Sequence, residues 1–267
     1  DATDRNRTSP FAFTGNKFEF RMVGSKDSIC ACNVVLNTIT AEAFKEACNV
    51  LESAEDFDLA VHDLIKEYAT QHQRIVFNGN GYAPEWEKEA RRRGLPVLPS
   101  MVDAIPALTT DKAVELFGEF GVFTKTELES RAEIQYEIYA KAINIEAKTM
   151  VDMATKQIIP AVIKYTTVLA ESINQVKAVG PIDVSVQMDL LKKASKLLKE
   201  VNSTMNKLSK LVDQIETHPE GRDRAVFCRE KLVPAMEKLR EPVDELEMLV
   251  DKDMWPMPSY GDLVFEP

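Results

Sequence analysis

The stretch LKKASKLLKEVNSTMNKLSKLVDQI at residues 191–215 decides the fold class. Its apolar side chains recur at alternating intervals of three and four residues: Leu191, Ala194, Leu198, Val201, Met205, Leu208, Val212 and Ile215. This spacing places them on one face of an α-helix, as in the seam of a coiled coil. The stretch therefore predicts a long amphipathic helix that packs against other helices.

A second long helix is predicted on the N-terminal side of this stretch. Residues 124–179 contain no Gly and a single Pro, Pro160. At about 1.5 Å per residue, an unbroken helix there would be roughly 80 Å long, with a kink expected at Pro160. The acidic residues early in this helix, such as Glu127, Glu129 and Glu133, are typical of a solvated surface. The segment VGPID at 179–183 is predicted to end the helix.

A third long helix is predicted after the turn THPEGR at 217–222. It repeats the apolar spacing and should be bent by Pro234 and Pro242. Its seam consists of Leu232, Met236, Leu239, Val243, Leu246 and Val250. Because short turns join neighbouring antiparallel helices, residues 123–252 predict a three-helix bundle or an extended helical hairpin.

Shorter helices are predicted between residues 33 and 121. Two of them are expected at 33–54 and at about 56–73, with Leu59, Leu64 and Ile65 of the second directed inward. PEWEKEARRR at 84–93 begins with a proline and is stopped by Gly94, and a capped helix over 109–121 ends at Gly121. Residues 95–108 are predicted to be an irregular connector. The inward face of the first helix should consist of Val35, Leu36, Ile39, Ala43, Ala47, Val50 and Leu51.

The N-terminal block is predicted to be a β-hairpin. FAFT at 11–14 and KFEFRM at 17–22 alternate apolar with other residues and flank Gly15-Asn16, a dipeptide typical of tight hairpin turns. An isolated two-stranded hairpin is marginally stable in water, so this one requires a larger sheet. RIVFNG at 74–79 is the only further strand candidate. The sequence thus predicts that part of the sheet lies upstream of Asp1.

The C-terminal segment MWPMPSYGDLVF at 254–265 contains two prolines and is predicted not to be helical. Trp255 and Phe265 are unfavourable in water, so the segment is expected to dock against the protein body. The mostly α fold therefore divides into three predicted regions, at residues 1–122, 123–252 and 253–267.

Composition excludes several classes of protein. The chain has 267 residues, 45% of them hydrophobic, and a formal net charge of −10, which opposes binding to nucleic acid or to an anionic membrane surface. No apolar run approaches the roughly 20 residues of a membrane helix, and no signal peptide is recognised. The four cysteines form no CxxC pair, which indicates a reducing cytoplasm. Cys30 and Cys32 are expected to be buried free thiols near a helix start, with a weak metal clip as the alternative.

The hairpin carries the residues best suited to chemistry. Alternation places Lys17, Glu19 and Arg21 on one face, with Arg5 and Arg7 just before the paired strand. A carboxylate among cations suits Mg²⁺ or Mn²⁺ beside a polyanion, because carboxylate oxygens bind hard cations and guanidinium groups bind phosphate. A surface ladder of cross-strand salt bridges explains the same spacing. The histidines His62, His72 and His218 are scattered and are expected to have no catalytic role.

The order NRT, then NKFEFRMVGSKDS, then NVVLNT resembles the end of the catalytic domain of glutamine synthetases. In that family an NRS-type segment precedes an R-[IK]-E-x-R strand, a short loop and a helix that opens with N-P-Y-L-like residues. Three segments resemble the type III branch of the family: DRNRTSPFAFTGNKFEFRMVGS, IPALTTDK and the closing WPMPSYGDLVF. That branch carries a long helical C-terminal extension. The resemblance covers essentially the whole chain.

This resemblance implies a role for each hairpin residue. Glu19 matches a metal-ligand glutamate, and Arg21 matches the arginine that holds the substrate glutamate and the transferring phosphoryl group. Arg7 matches an arginine that contacts the ATP phosphates, and Lys17 stands where the family usually has an arginine near the nucleotide. The family's second arginine, five residues after the first, is Ala12 here. Arg5 is a candidate to make the nucleotide contact that this second arginine makes in the family.

The resemblance also implies the reaction and the assembly. ATP phosphorylates the side-chain carboxylate of glutamate, and ammonia displaces phosphate to give glutamine, with Mg²⁺ or Mn²⁺ as cofactor. The other metal carboxylates and the glutamate-binding segment of the family have no counterpart in these residues. The chain alone is therefore expected to be inactive and to form part of a cytoplasmic homo-oligomer, a dodecamer of two stacked hexamers. The alternative is a stand-alone helical interaction or scaffold protein with a vestigial hairpin.

Overall fold

The computed structural model describes residues 11–13, 18–20, 28–77, 80–81 and 83–265, with the first six residues described for their backbone alone. Most of the described chain is helical, as predicted. The helices are α1 Cys30–Leu51, α2 Phe57–Gln71, α3 Pro84–Arg92, α4 Met101–Ala104, α5 Asp111–Glu119, α6 Lys125–Met153, α7 Ile159–Val179, α8 Ser185–Gln214, α9 Arg222–Phe227, α10 Val233–Glu247 and α11 Tyr260–Phe265. No described helix has the length and apolar content needed to cross a membrane.

Two short strands, β1 Phe11–Phe13 and β2 Phe18–Phe20, are described near the N-terminus. They pair antiparallel, with Phe11 opposite Phe20 and Ala12 opposite Glu19. The turn between them lies outside the described residues, so the hairpin and its membership of a larger sheet remain predictions. The third strand candidate is wrong where it is described: Gln73–Ile75 is a single 3₁₀ turn, and residues 76–77 are not in a strand.

The chain divides into two compact units, Asp1–Glu129 and Ser130–Pro267, here called the N-terminal and C-terminal units. The predicted limits of the three regions remain predictions. In the C-terminal unit, α8 packs against both α7 and α10. The five residues between α7 and α8 are too few for a parallel return, so these two helices run antiparallel.

The seam of α8 is buried much as its spacing predicts. Ala194, Val201, Met205 and Leu208 are buried, and Ile215 continues the buried series just after the helix. Leu198, however, is half-buried, and its neighbour Leu197 is buried instead. The buried face of α8 is therefore rotated slightly from the predicted seam. The reason is that a helix packed against two partners buries a wider face than a two-helix seam requires.

Pro160 and Pro234 each follow one π-helical turn, Ala154–Ile158 and Cys228–Leu232 respectively. In these turns the N–H of Ile159 bonds to the carbonyl of Ala154 and that of Val233 to the carbonyl of Cys228, five residues back. The two places share a local pattern, Ile-Ile-Pro-Ala and Leu-Val-Pro-Ala. Prolines and π turns both disturb the regular α-helical bonding, and here they occur together. Pro242 lies inside α10.

The N-terminal unit contains α1 to α5 in contact through the pairs α1–α2 and α1–α5. Most of its helices lie close to their predicted limits: Asp56 caps α2, Thr110 caps α5, and Gly94 and Gly121 have positive φ after α3 and α5. The first helix, predicted at 33–54, instead covers Cys30–Leu51. The predicted connector at 95–108 instead contains α4 and a 3₁₀ turn over Ile105–Thr109. Ser100 makes this possible, because its hydroxyl caps α4 through the N–H of Asp103.

The predicted inward faces of α1 and α2 are largely exposed. Thr38 is the only buried residue of α1, and Leu64 is the only one of α2. Leu59 and Ile65 are more than half exposed, so their predicted burial is wrong in this chain. The periodicity identified an apolar face correctly, but the described neighbours do not cover it.

The C-terminal segment contains a short helix, so the prediction of a non-helical tail is wrong. Pro256 and Pro258 both precede α11, where they do not interrupt its hydrogen bonds. Ser259 and Asp262 cap the helix reciprocally: the Asp262 carboxylate accepts from the Ser259 N–H at 2.6 Å and the Ser259 hydroxyl from the Asp262 N–H at 3.3 Å. Trp255 is half-buried and donates to Glu247, whereas Phe265 is 84% exposed. Docking of the tail through Phe265 remains a prediction.

Candidate functional site

The site predicted on the hairpin lies mostly outside the described residues. Arg5, Arg7, Lys17 and Arg21 are not described, and Glu19 is described for its backbone alone, in β2. The pairing of Glu19 with Ala12 gives its place in the strand register. Whether these side chains converge on one ligand therefore remains a prediction.

No group of three or more His, Cys, Asp or Glu side chains suitable for a metal ion occurs within the described part of the chain. The histidines lie apart. His62 is 3.4 Å from the carboxylate of Asp63, His72 lies beside the ring of Tyr68, and the ring of His218 stacks on Phe227 with centroids 4.0 Å apart.

The cysteine prediction is corrected in part. Cys30 begins α1 and is exposed, and Cys32 is half-buried, so the pair lies at a helix start but is not buried. The physical reason is the exposure of α1 as a whole. Cys228 is the buried cysteine, and burial raises the pKa of its thiol. Its Sγ lies 4.0 Å from the carbonyl oxygen of Ala140.

An acidic cavity lies between α1 and α5 in the N-terminal unit. Its lining includes Glu42, Glu46, Glu115 and Glu119 together with Lys112. Lys45 forms an ion pair with Glu119, and the hydrogen bond that it donates to that carboxylate raises the pKa of Lys45. This pair is exposed to solvent, so it contributes little to stability. The lining is a charged surface rather than a built binding site.

A cluster around Arg93 fixes the segment before α3. The guanidinium donates to the backbone carbonyls of Val76 at 2.7 Å and Arg74 at 3.2 Å. It lies 5.8 Å from the ring centroids of both Phe77 and Trp86, which stack on each other. Hydrogen bonds from Arg92 and Arg93 lower the pKa of Glu89 to about 2. This arrangement joins two segments of the chain.

A second cavity, here called the α6–α9 cavity, has a volume of about 250 Å³ and lies between α6 and the segment from Ile215 to α9. Its charged and polar lining consists of Glu137, Lys141, Asn144, Glu216, Glu220 and Arg224. Gly221 shapes its wall, with φ at +79°, and a Cβ there would lie 2.5 Å from the carboxylate of Glu133. This position therefore requires glycine.

Asn144 is the unusual residue of the α6–α9 cavity. Its side-chain oxygen is buried and has no hydrogen-bond partner among the residues that the structure describes. A buried polar atom without a partner is unfavourable by about 1–3 kcal/mol, so such atoms are rare in native folds. Asn144 lies four residues after the buried Ala140, on the inner side of α6. A polar residue at such a position is the sequence feature that indicates this cavity.

Two further functions of side chains were not predicted from the sequence. Glu127, predicted to be solvated surface, accepts from the N–H of Thr124 at 2.7 Å while the hydroxyl of Thr124 accepts from the N–H of Glu127. This is a capping box, recognisable as the sequence Thr-Lys-Thr-Glu. Arg224 donates to the carbonyl of His218 and so closes the turn before α9.

Comparison with known proteins shows which family this chain resembles. Residues 60–177 match the model of the glutamine synthetase C-terminal domain. Three curated relatives align with 99% of the chain: a type-3 glutamine synthetase of Dictyostelium discoideum at 37% identity, a glutamine synthetase of Butyrivibrio fibrisolvens at 35%, and one of Bacteroides fragilis strain YCH46 at 33%. The chain spans 37% of the length of the first relative and 38% of the other two.

Proposed function

Because this chain belongs to the glutamine synthetase family and matches the C-terminal portion of its relatives, we propose that it serves an ATP-dependent glutamate–ammonia ligase. The observation that carries the proposal is the alignment over 99% of the chain, which includes the hairpin segment as well as the helices. A stand-alone scaffold protein is less well supported, because helical packing alone does not explain the NRT and FEFR segments of the hairpin region.

The proposed role of the hairpin is to hold and neutralise the transferring phosphoryl group. Arg21 would bind the glutamate substrate and stabilise the negative charge that develops on the phosphoryl oxygens. Arg7 would bind ATP phosphates, with Lys17 and Arg5 beside them. Such fixed cations accelerate phosphoryl transfer because they stabilise the transition state more than the ground state.

The proposed metal ligand is Glu19, for Mg²⁺ or Mn²⁺. As a set, however, one carboxylate beside Arg7, Lys17 and Arg21 does not suit a dication, which usually takes about six oxygen ligands with more than one anionic group. These residues by themselves therefore do not fit the metal, and further ligands must come from another part of the enzyme.

Assembly and location belong to the same proposal. A homo-oligomer, with the dodecamer that the resemblance implies, is supported by the many exposed apolar side chains of α1 and α2. The cytoplasmic location rests on the free cysteines and remains a prediction.

The test of the function is mutagenesis in the full-length enzyme. Glu19→Ala and Arg21→Ala should each lower turnover by a factor of roughly 10² or more, as loss of a transition-state charge stabiliser does. Arg7→Ala should chiefly raise the KM for ATP. Lys207→Ala, on the exposed face of α8, is the matched control and should leave the rate unchanged.

The chain alone gives a second test. We expect no glutamate-dependent ATP hydrolysis and an affinity for Mn²⁺ no tighter than about millimolar, since few anionic ligands mean weak binding. Calorimetric titration with Mn²⁺ measures this. Micromolar binding together with glutamate-dependent turnover would mean that the site is complete within these 267 residues.

A further inference from the structure

The α6–α9 cavity has features that the ligase reaction does not use. None of its lining residues belongs to the hairpin that carries the proposed catalytic residues. Glu137, Lys141 and Asn144 lie at intervals of four and three residues along one face of α6, so the helix presents all three to the same space. The opposite wall supplies Glu216, Glu220 and Arg224.

The Arg224 guanidinium is enclosed, and its ion pairs with carboxylates are long. Its side chain is 18% exposed, and two of its nitrogens, Nε and Nη2, donate to the carbonyl of His218 at 3.2 and 3.0 Å. The remaining nitrogen, Nη1, lies 3.5 Å from the carboxylates of Glu216 and Glu220. Both glutamates are themselves well exposed, at 72% and 75%. A ligand carboxylate at Nη1 would make a shorter hydrogen bond than either glutamate does here.

Asn144, in contrast to Arg224, calls for a hydrogen-bond donor on the ligand. Its buried oxygen accepts no hydrogen bond from the described residues, so a donor group of a bound ligand would satisfy it. The carboxylates of Glu137 and Glu220 line the same cavity and favour a positively charged donor. The cavity thus offers the guanidinium of Arg224 to an anionic group of a ligand, and the side-chain oxygen of Asn144 to a cationic donor of the same ligand.

We infer that the α6–α9 cavity binds a small free α-amino acid. The ligand carboxylate would contact Arg224, and its ammonium group would donate to the oxygen of Asn144. At about 30 Å³ per water molecule, 250 Å³ holds roughly eight waters, which is room for an amino acid of the size of serine. The zwitterion adds no net charge to a lining that already holds both signs. This site is distinct from the proposed catalytic function and does not depend on it.

The test is calorimetric titration of the full chain with L-serine. Saturable binding with a Kd in the millimolar range or tighter is expected. Two matched compounds separate the contributions: 3-hydroxypropionate lacks the ammonium group and ethanolamine lacks the carboxylate, and each should bind about tenfold more weakly or worse. Because binding is read without ligase activity, the result is independent of whether the proposed function holds.

Two variants locate the site. Asn144→Leu and Arg224→Gln should each weaken serine binding by about tenfold or more, whereas Lys193→Gln, which alters an ion pair with Glu245 on the surface, should leave it unchanged. Asn144→Leu is expected to fold, since it replaces an unpartnered polar atom with an apolar group, and a thermal melt verifies this. If Arg224→Gln does not fold, Arg224→Lys keeps the charge without the planar fork and should weaken binding likewise.

Two results would overturn the inference. One is the absence of heat from glycine, L-serine and L-asparagine up to about 50 mM, which would mean that the cavity holds water only. The other is equal binding of serine to the wild type and to folded Asn144→Leu, which would place the amino acid elsewhere on the chain.

Discussion

The two compact units differ in how completely they bury their own apolar faces. In the C-terminal unit, the side chains of Leu208, Ile215, Leu232, Leu239 and Leu246 are essentially inaccessible to solvent. In the N-terminal unit, α1 exposes Phe44 at 68% and buries Thr38 alone. Both units were predicted from the same kind of helical periodicity. The difference shows that periodicity identifies an apolar face without showing what covers it.

The cause of the difference lies in the number of matching faces. The apolar face of α8 meets α7 and α10, which lie within the same unit. Five residues join α7 to α8, and α10 follows α8 after a 3₁₀ turn, α9 and a π turn. The corresponding face of α1 meets α2 and α5, two shorter helices. The C-terminal unit therefore has a closed core of its own, whereas the N-terminal unit depends on contacts with further surfaces.

The largest expected effect is the difference between the two units expressed separately. Residues 124–252 should give a strongly helical protein that melts cooperatively, because its core is closed and Thr124 caps its first helix. Residues 28–122 should show no cooperative transition, because too little apolar surface is buried. Circular dichroism at 222 nm during heating measures both. A cooperative melt of 28–122 would refute the comparison.

A charge in the closed core should unfold the C-terminal unit. Leu208 is fully buried, so Leu208→Asp places an unpaired carboxylate in the bundle and should destabilise it by several kcal/mol. The measurement is urea unfolding of residues 124–252. Leu198→Asp should have a smaller effect, since Leu198 is half-buried, and the exposed Lys207→Asp should change the unfolding free energy little. Equal effects at Leu198 and Leu208 would contradict the observed rotation of the seam.

Truncation of one buried leucine in each unit should give a graded result. Leu246→Ala, in the closed core, is expected to lower the free energy of unfolding by about 2–5 kcal/mol. Leu64→Ala should lie below that range, because Leu64 is 9% exposed and is the single buried side chain of α2. Denaturant unfolding of the full chain, followed separately in each unit by hydrogen exchange, distinguishes the two. A larger loss at Leu64 would mean that the N-terminal unit has a core stronger than its burial indicates.

The smallest expected effect concerns the C-terminal tail and pH. Hydrogen bonds from Lys252 and Ser259 lower the pKa of Asp262 from its ordinary 3.8 to about 2. Because the folded-state pKa is the lower one, ionised Asp262 stabilises the tail above pH of about 4, and this contribution is lost as pH falls through about 2. The amide shift of Gly261 should therefore titrate in that interval. Asp262→Asn should abolish the titration, and an unchanged curve would assign it to another carboxylate.

The fold was largely predictable where the signal is local. Caps and stops such as Asp56, Thr110, Gly94 and Gly121 act through hydrogen bonds within a few residues, and the helix limits follow them. The interior of the α8 seam was predicted to within one position, because Leu197 and Leu198 are adjacent and packing against both α7 and α10 decides which of them is buried. The helix α11 was missed because two prolines were given more weight than the capping pair Ser259 and Asp262.

The candidate site was predictable to a smaller extent. The hairpin residues were assigned by resemblance, and Glu19 and Arg21 remain to be tested in the full-length enzyme. The α6–α9 cavity was not predicted, because its lining comes from two segments about 80 residues apart in the sequence, and spacing within one helix does not reveal such a pair. Asn144, a polar residue four positions after the buried Ala140, was the available clue.

The two π turns have a consequence for sequence length. A π turn contains one residue more than the α turn it replaces, so each of these places already accommodates an inserted residue without rotating the helix that follows. Loss or gain of a residue at Ala154–Ile158 or Cys228–Leu232 should be tolerated by a local change of winding. The same deletion in the middle of α8 would turn every later side chain by about 100° and carry Leu208 to the surface. Single-residue gaps between relatives should therefore collect at the residues before Pro160 and Pro234.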